Sequence, residues 1–592
     1  MKRYIGLLLV VSVLRFSVNA QDSRQSDLRV ANEQLATLLQ MIHFAYVDTV
    51  SLAPLVEKSA IEMLKQLDPH SAYIPARDVD RANEQLQGNF DGIGVSFQIV
   101  KDTITVVEAI ADGPSEKLGI QGGDKIVVID GINCTGDSAN QDFVFRHLRG
   151  KKGTIVTVRI IRAGVAQPMD FKIVRDKIPI YSVETYFMEN NHVGYVMIDR
   201  FSRNTGEEFR KALIDLKSQG ATSLILDLRG NGGGYMDQAV VLVSEFLPKG
   251  KMVVYMEGKA QPRQNSLSEG GGVFEKGKVL VMIDEGSASA SEIVSGALQD
   301  NDRAIIMGRR SFGKGLVQRP LKTPDGSEVR LTIARYYTPS GRFIQKPYND
   351  GLQNYYSDIM NRYRHGEMLH PDSVQLPDSL KYHTTQNRTV YGGGGIMPDV
   401  FTPIDTNKIS DYYVDLRRTG VLNNFVMDFL NTDRTKLLKQ YPDFQAFNKG
   451  FTIDATLQQR FETFSDKAGV KRNHVRKSNA EQLMSKLFDE MKKDTTLNDA
   501  KTYSDYVSKA LWDESKMKQY LQDLSVKEDQ EQARLQKTSD EYILLQLKAL
   551  IARNLYGYKY YFQTIKSIDN AYQQAVQTIE NDRLFKQNKI TY

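Results

Sequence analysis

The residues best placed to do chemistry lie in the segment 284–293, which follows an apolar run and opens a helical pattern. At the start of a helix, unpaired N–H groups and the positive end of the helix dipole stabilise a nearby oxyanion. Ser289 in this segment is therefore a candidate nucleophile for acyl transfer. Ser289 and Glu292 also have the spacing of a capping box, so the serine is alternatively a simple helix cap.

A lysine between two glycines is a candidate base for this serine. Lys314 lies in the sequence Ser-Phe-Gly-Lys-Gly of residues 311–315. A lysine acts as a base at neutral pH only if burial lowers its pKa, and serines activated by such lysines are known nucleophiles. Lys314 is alternatively a solvated loop lysine or a phosphate ligand, although the segment lacks the glycine and Ser/Thr positions of a P-loop.

A glycine-rich segment follows another apolar run. Residues 227–234 read Asp-Leu-Arg-Gly-Asn-Gly-Gly-Gly. Backbone N–H groups of consecutive glycines can approach a bound group closely, as the donors to an oxyanion must. A flexible turn is the simpler alternative, and the glycine spacing does not fit the dinucleotide-binding fingerprint.

Several function classes are disfavoured by composition. None of the eight histidines falls between residues 193 and 364, so a Ser-His-Asp triad would need a partner from outside this region. There is no HExxH motif, and the single cysteine, Cys134, excludes an intramolecular disulfide and a thiolate cluster. A net charge of +5 over 592 residues gives no basis for nucleic-acid binding. We therefore expect no metal, no cofactor and no nucleic-acid partner.

Apolar strands and amphipathic helices alternate through residues 180–345, which predicts an α/β core with a largely parallel sheet. The predicted strands are Val193–Ile198, Ser223–Leu228 and Val279–Ile283, and the predicted helices are Glu207–Ser218 and Ser289–Leu298.

The remaining regions differ in composition. Apolar residues recur at helical spacing from Leu28 to Leu67, where Asp-Pro-His-Ser stops the pattern. Residues 85–178 predict a compact unit of strands with two short helices, and residues 346–390 are polar and predict a surface insertion. The tail, residues 405–592, is poor in proline and predicts α-helices.

The N-terminus has the pattern of a secretory signal peptide. Lys2 and Arg3 precede a short apolar run, and Val-Asn-Ala at 18–20 is a small-residue cleavage site. We therefore expect residues 1–20 to be removed after Ala20 and the protein to be exported, to the periplasm or cell envelope. An uncleaved membrane anchor is the alternative, although the run is shorter than the roughly 20 residues that span a bilayer.

Taken together, the three chemical segments resemble the core of the carboxyl-terminal processing peptidases, also called tail-specific proteases. The resemblance covers residues 40–404. The matching motifs are Leu67–Ser71, Asp227–Gly234, Ser287–Ile293, Gly296–Asp300, Phe312–Gln318, Tyr336–Gly341 and Gly395–Asp399.

This resemblance implies roles for individual residues and a fold. Ser289 would be the nucleophile, Lys314 the general base and Gln318 the residue that positions the lysine. The oxyanion would be held by the N–H of Ala290 and that of Gly232 or Gly233, while Ser287, Ser291 and Asp300 would be structural. The implied core is an α/β fold of the crotonase-like or tricorn-core-like type.

The resemblance also identifies residues 85–178 as a PDZ-like α+β domain. Gly92, Ile93, Gly94 and Val95 stand where that domain has its carboxylate-binding loop. Backbone N–H groups in such a loop receive a terminal carboxylate while the peptide adds a strand. A glycine-marked strand entrance without binding function is the alternative.

The sequence thus predicts a multidomain serine endopeptidase that cleaves exported or envelope proteins near their C-termini. The predicted domains are a signal peptide at 1–20, a helical region at 21–84, the PDZ-like domain at 85–178, the peptidase core at 179–404 with its insertion, and a helical domain at 405–592. A non-catalytic PDZ adaptor and an amidase on the same scaffold are the rival functions. The partners expected are proteins or peptides with free C-termini, together with a homo-oligomer formed through the N-terminal or C-terminal helices.

Overall fold

The computed structural model describes residues 27–374, 377–405, 410–472 and 514–592, so the predicted signal peptide lies outside the described residues. The chain divides into two compact units. One comprises the chain up to Ala82 together with Gln318–Ile333, and the other comprises Asn83–Val317 together with Ala334–Tyr592. In the described part of the chain, no helix is both long and apolar enough to cross a membrane.

The smaller unit contains the two helices predicted from the apolar spacing, residues 27–45 and Leu52–Lys65. The second helix ends just before Asp68-Pro69, as the proline predicts. Strand Ala72–Ile74 then pairs antiparallel with Glu328–Arg330. A single turn of 3-10 helix, Ala76–Asp78, and the helix Val79–Gln87 follow along the chain.

The second unit begins with the predicted PDZ-like region, which is an antiparallel sheet with two short helices. Its core is formed by alternate apolar residues of the strands, such as Ile104, Val106, Val156 and Val158, which are all fully buried. The strands of the sheet are, in order, Val95–Val100, Thr103–Ala109, Lys125–Ile129, Ile155–Ile161 and Met169–Val174, and the short strand Ile132–Asn133 also pairs with Lys125–Ile129. Asn89–Gly92 and Asp176–Pro179 form a separate antiparallel pair. The two helices are Pro114–Lys117 and Gln141–Leu148.

A six-stranded sheet forms the core of the second unit, and its order is Val183–Met188, Val193–Ile198, Ser223–Asp227, Val279–Ile283, Ile305–Gly308 and Val400–Phe401. The first strand is antiparallel to its neighbour and the other five are parallel, which confirms the predicted largely parallel sheet. Three helices pack on one face: Thr205–Ser218, Met236–Ser244 and Ala290–Asp300.

The opposite face of this sheet is covered by the last helices of the chain. Alternate strand residues such as Tyr195, Ile225 and Leu280 form one buried cluster with Tyr572 and Phe585. The helices are Lys559–Ile565, Asn570–Ile579 and Asp582–Gln587. The sheet is therefore buried on both faces, as its continuous apolar strands require.

The described residues 411–467 and 514–556 of the tail form a helical bundle with its own apolar core, which includes Leu416, Phe425, Phe461 and Leu547. Its helices are Asp411–Arg418, Val421–Gln440, Phe444–Gly450, Ala455–Lys467 and Glu514–Tyr556. The tail thus contributes both to this bundle and to one face of the six-stranded sheet.

A hairpin of Met252–Gly258 and Gln261–Leu267 pairs with Arg335–Tyr337. Residues 335–337 are the end of the strand Glu328–Tyr337, and this strand and Leu316–Lys322 carry the chain between the two units.

The insertion at 346–390 contains the helix Leu352–Arg364, the short helices Pro371–Ser373 and Asp378–Leu380, and the hairpin of Lys381–His383 with Thr389–Tyr391. The sequence predicts a surface insertion here, and two of its side chains, Tyr355 and Arg362, are buried, at 2% and 4% exposed. A polar composition does not predict this burial, which is possible because the Arg362 guanidinium donates to backbone carbonyls and pairs with the carboxylate of Asp358.

Candidate active site

Ser289 lies at the carboxyl edge of the parallel sheet, between the buried strand Val279–Ile283 and the helix Ala290–Asp300. Its backbone has φ 53° and ψ −111°, a conformation that a non-glycine residue rarely adopts. Such strain persists only where surrounding structure enforces it, and it concentrates at functional sites.

Glu292 joins the serine to the lysine loop. Its buried carboxylate accepts hydrogen bonds from the backbone N–H groups of Ser289 (2.9 Å) and Lys314 (2.8 Å) through one oxygen. Its other oxygen accepts from the Gly313 N–H (2.7 Å) and the Ser311 hydroxyl (2.5 Å). Burial raises the pKa of this carboxyl, although the four hydrogen bonds oppose the shift.

Tyr336 makes a second connection between the same two residues. Its buried hydroxyl lies 2.5 Å from the carbonyl oxygen of Lys314 and 3.2 Å from that of Ser289. Burial and the charge of Glu292 raise the pKa of Tyr336 well above its usual value, so the hydroxyl stays protonated and donates. Two side chains therefore hold the backbone of residues 289 and 314 together.

The glycine loop packs directly against the serine. A Cβ atom on Gly233 would stand 2.7 Å from Ser289 Cβ and 2.9 Å from the nitrogen of Ala290, so only glycine fits this approach. A Cβ on Gly232 would meet no atom within 4 Å. Two serine hydroxyls bond to the backbone of this loop. Ser287 donates to the carbonyl of Leu228 (2.8 Å), and Ser291 donates to the carbonyl of Asn231 (3.0 Å).

The two glycines predicted as alternative oxyanion donors differ in their hydrogen bonds. The Gly233 N–H donates to the side-chain oxygen of Asn231 (2.8 Å), and Asn231 is itself fixed by donating to the carbonyl of Ile198 (2.8 Å). Gly232 lies beside this fixed pair, facing open space. The Gly233 N–H therefore already has an acceptor within the loop.

The insertion helix Leu352–Arg364 holds the lysine loop from outside. The Arg362 guanidinium donates to the carbonyl oxygens of Arg310 (3.4 Å), Ser311 (2.8 Å) and Phe312 (3.2 Å), three consecutive residues that precede Gly313. On the other side of the lysine, the Gly315 N–H donates to the side-chain oxygen of Gln345 (2.9 Å). The loop backbone is thus fixed on both sides of Lys314.

Gln318 belongs to the smaller unit, where its side-chain amide donates to the carbonyl oxygen of His70. His70 is part of a tight turn in which Asp68 accepts from the N–H groups of His70 (2.8 Å) and Ser71 (2.9 Å). The motif Leu67–Ser71 therefore forms a rigid turn against the Gln318 side chain.

Asp300 has structural contacts. Its carboxylate pairs with the fully buried Arg342 (2.7 Å) and accepts from the hydroxyl of Ser340 (2.7 Å). These bonds tie the helix Ala290–Asp300 to the Tyr336–Gly341 motif.

In the PDZ-like domain, the predicted carboxylate-binding residues form a fixed loop. The carbonyl of Ile93 accepts from the hydroxyl of Ser115 (2.6 Å), and that of Gly94 accepts from the N–H of Ile110 (2.9 Å). Gly94 has φ +74°, which suits glycine. The strand that follows from Val95 is the outer strand of its sheet in the described residues, so one of its edges is available for strand addition.

Sequence reasoning predicts Ser289, Lys314 and the glycines as site residues, but it gives no role at this site to Glu292, Tyr336 or Arg362. Only the bond between Glu292 and Ser289 could be predicted from the sequence. The two residues have capping-box spacing, and the Glu292 carboxylate accepts a hydrogen bond from the Ser289 N–H. The spacing of residues along the sequence does not predict the contacts of Glu292 with residues 311, 313 and 314. Arg362 lies in the insertion, outside every motif.

Comparison with protein families supports this arrangement. The model of peptidase family S41 matches residues 192–353, and a PDZ domain model matches residues 92–173. Residues 412–488 of the tail match a family of unknown function.

Two curated proteases and one solved structure are similar to parts of this chain, and the family assignment rests on the curated proteases. The chain is 35% identical to a carboxy-terminal-processing protease of Bartonella bacilliformis over 344 residues, which is 57% of this chain and 78% of that protein. It is 34% identical to the carboxy-terminal processing protease CtpA of Bacillus subtilis, over 56% of this chain and 68% of that protein. Among solved structures, the photosystem II D1 C-terminal processing protease is 27% identical, with a TM-score of 0.32 over 52% of this chain and 83% of that one. The chain therefore belongs to peptidase family S41, the carboxyl-terminal processing proteases, and is a serine-type peptidase with a PDZ domain.

Proposed function

We propose that this chain is an endopeptidase that cleaves proteins near their C-termini, with Ser289 as nucleophile and Lys314 as general base. The observation that carries the proposal is the double connection between these residues. Glu292 and Tyr336 each bond to the backbone of both, beside a glycine loop that touches Ser289.

In the acylation step, the Ser289 hydroxyl oxygen attacks the carbonyl carbon of the scissile peptide bond. Neutral Lys314 takes the hydroxyl proton as the new C–O bond forms. The negative charge that develops on the carbonyl oxygen is stabilised by the N–H groups of Ala290 and Gly232 and by the N-terminus of the helix Ala290–Asp300.

The tetrahedral intermediate then breaks. Lys314 returns the proton to the departing amine, and the C–N bond is cleaved, which leaves an acyl ester on Ser289. Water attacks this ester with Lys314 again as base, and the carboxylate product leaves with Ser289 restored. Gln318 is proposed as the residue that positions the lysine.

The PDZ-like domain would supply the preference for C-termini. The loop Gly92–Val95 would receive the terminal carboxylate of a substrate, and the preceding substrate residues would pair with the strand Val95–Val100. The rings of Phe97 on that strand and Phe145 on the helix Gln141–Leu148 have centres 6.1 Å apart, so substrate side chains on this side of the strand would lie near that helix.

Export and self-association complete the proposal. Cleavage after Ala20 would release the protein into the periplasm or cell envelope, where its substrates would be exported proteins.

The N-terminal helix at 27–45 exposes large apolar side chains, with Met41 61% and Phe44 81% exposed. A second copy of the chain is the partner that these helices would bind. Sedimentation of the purified chain at several concentrations tests this, and a monomer at all of them contradicts it.

The catalytic proposal is tested by purifying residues 21–592 and incubating them with an unfolded protein, beside Ser289→Ala and Lys314→Ala. We expect cleavage by the native chain and loss of at least about 1,000-fold in rate for both variants. Equal cleavage by all three proteins would contradict the assignment.

The PDZ role needs a different comparison. Two peptides of the same sequence, one with a free C-terminal carboxylate and one amidated, are offered to the native chain. The amidated peptide should show a higher KM because the loop 92–95 cannot bind a neutral amide as it binds a carboxylate. Equal KM values would remove the carboxylate from the proposal while leaving the Ser289 assignment intact.

A further inference from the structure

An ion pair joins the glycine loop to the C-terminal tail across 340 residues of sequence. Arg229, which opens the loop, donates through Nη1 to Oδ1 of Asp569 (3.1 Å) and through Nη2 to Oδ2 (2.8 Å). The contact is bidentate, the geometry that gives arginine–carboxylate pairs both strength and direction. The two side chains are only 19% and 22% exposed, so water screens the pair weakly.

The same guanidinium also contacts a second carboxylate. Arg229 Nη2 lies 2.6 Å from Oδ2 of the fully buried Asp227, which also accepts from the hydroxyl of Tyr195 (2.7 Å). Burial alone would lower the pKa of Arg229, but the charges of Asp227 and Asp569 hold it well above its usual value. The Arg229 side chain is thus held between the end of a core strand and the tail.

Asp569 is itself held in place by the tail. Its Oδ1 accepts from the N–H of Tyr572 (3.0 Å) and so caps the helix Asn570–Ile579. Tyr572, Ala575 and Ile579 of that helix are buried against the peptidase sheet. The position of the Asp569 carboxylate is therefore set by the packing of the tail on the sheet.

The loop that Arg229 opens needs such anchors because glycine supplies no rigidity of its own. Gly230 and Gly233 both have positive φ, of 68° and 95°. Within the loop itself, the side chains that fix it are Arg229 at its start and Asn231 in its middle, in addition to the hydroxyls of Ser287 and Ser291 that bond to its carbonyls. The direction of the Gly232 N–H, which lies just beyond them, depends on both anchors, and oxyanion stabilisation is sensitive to shifts of well under 1 Å.

We propose that Asp569 is a positioning residue for the oxyanion loop, so that the helical tail completes the active site through its contact with Arg229. The inference rests on the proposed function, in which Gly232 stabilises the oxyanion. Asp569 touches no reacting atom. It fixes Arg229, and Arg229 fixes the loop.

The test is Asp569→Asn in the chain 21–592, assayed on an unfolded protein and on a short peptide. Asparagine is as good a helix cap as aspartate, so the helix start is preserved while the charge and the bidentate pair are lost. We expect kcat to fall by about 10- to 100-fold with KM changed less than about threefold, because only transition-state stabilisation is affected. The melting temperature should change by no more than a few degrees.

The matched control is Glu580→Gln. Glu580 also links the tail to the core, through His192 (3.0 Å) and Asn190 (3.1 Å), but these residues lie outside the catalytic loops. Its kcat should equal that of the native chain. Asp569→Glu keeps the charge and should retain a higher kcat than Asp569→Asn.

A kcat for Asp569→Asn equal to that of Glu580→Gln would overturn the inference. The inference would also fail if Asp569→Asn and Asp569→Glu lost kcat equally and their melting temperatures fell by the same amount, because the cause would then be a general loss of stability. Ser289→Ala in the same assay separates this failure from failure of the proposed function. If Ser289→Ala is inactive while Asp569→Asn is fully active, only the inference about the tail is lost. If Ser289→Ala is active, the proposed function itself is lost.

Discussion

Glu292 accepts hydrogen bonds from four donors, and two of them are the backbone N–H groups of Ser289 and Lys314. Because each carboxylate oxygen takes two donors, no neutral side chain of the same size can replace it. This one residue explains how a serine at a helix start and a lysine in a loop acquire a fixed relation. It also reconciles the two interpretations of Ser289, since the cap that Glu292 provides is part of the site.

Glu292→Gln is expected to lower kcat by about 100-fold or more, because its amide group turns an N–H donor toward two other donors and displaces either Ser289 or the lysine loop. Steady-state cleavage of a peptide measures the effect. Glu285→Gln is the matched control, since Glu285 lies in the same turn but pairs with Arg309 (2.7 Å). Similar activities for the two variants would contradict the role assigned to Glu292.

Glu292 also predicts a pH dependence of stability. Burial raises its pKa above 4.5 in the folded chain, so between 4.5 and the raised pKa the folded state binds more protons than the unfolded state. Its favourable contribution is therefore complete below pH 4.5 and is lost as pH rises through the folded pKa. Urea unfolding should show the native chain losing stability relative to Glu292→Gln as pH rises from 4.5 to neutrality. The prediction is contradicted if the difference in the free energy of unfolding between the native chain and Glu292→Gln stays constant over this pH range, or if it grows in favour of the native chain.

At the scale of elements, the lysine loop and the glycine loop of the candidate site are each anchored by a segment outside the motifs of the family. The helix Leu352–Arg364 of the insertion holds the carbonyls before the lysine, and the tail holds Arg229 at the start of the glycine loop. Loops that must position reacting groups need such external support, because their own backbone bonds are few.

Arg362→Lys tests the anchor of the lysine loop. A lysine ammonium cannot reach three consecutive carbonyls at once, as the guanidinium does, so the loop 310–315 should become more mobile. We expect kcat to fall by about tenfold and hydrogen exchange to rise in peptides that cover residues 310–316. Arg364→Lys changes an exposed arginine on the same helix and should alter neither quantity. Equal behaviour of the two variants would refute the anchoring role.

The sequence predicted elements far better than it predicted these anchors. The strands Val193–Ile198 and Val279–Ile283 were predicted to the residue, because a strand buried on both faces is a continuous apolar run. Ser289, Lys314 and the glycines could be predicted as site residues because motif and local chemistry agree. Arg362 and Asp569 could not, since each acts through contacts with residues about 50 and 340 positions away, which local pattern does not encode.

At the scale of the whole chain, the last helices belong to the core of the peptidase sheet. Phe585 is fully buried in the cluster that covers Tyr195 and Leu280, whereas Tyr592 nearby is 44% exposed. Residues beyond the family match are therefore needed to bury an apolar sheet face, which explains why a tail so distant in sequence is part of the folded unit.

Phe585→Ala should lower the stability of the second unit by about 3–5 kcal/mol, because it removes a large buried ring and leaves a cavity on the sheet. Tyr592→Ala removes an exposed ring next to it and should cost less than about 0.5 kcal/mol. Thermal unfolding followed by circular dichroism measures both. A Phe585→Ala variant as stable as Tyr592→Ala would show that the tail does not contribute to the core.

The pairing of Ser289 with Lys314 is tested most directly by trapping the acyl-enzyme. The chain 21–592 is mixed with an activated peptide ester, quenched in acid during the first turnover, digested and mapped by mass spectrometry. Three serines, at positions 287, 289 and 291, lie in one short segment, so the position of the acyl adduct shows which of the three is the nucleophile. We predict an acyl group on Ser289 alone, formed at least about 1,000-fold more slowly in Lys314→Ala. An adduct on Ser287 or Ser291, or one formed at an undiminished rate in Lys314→Ala, would contradict the account.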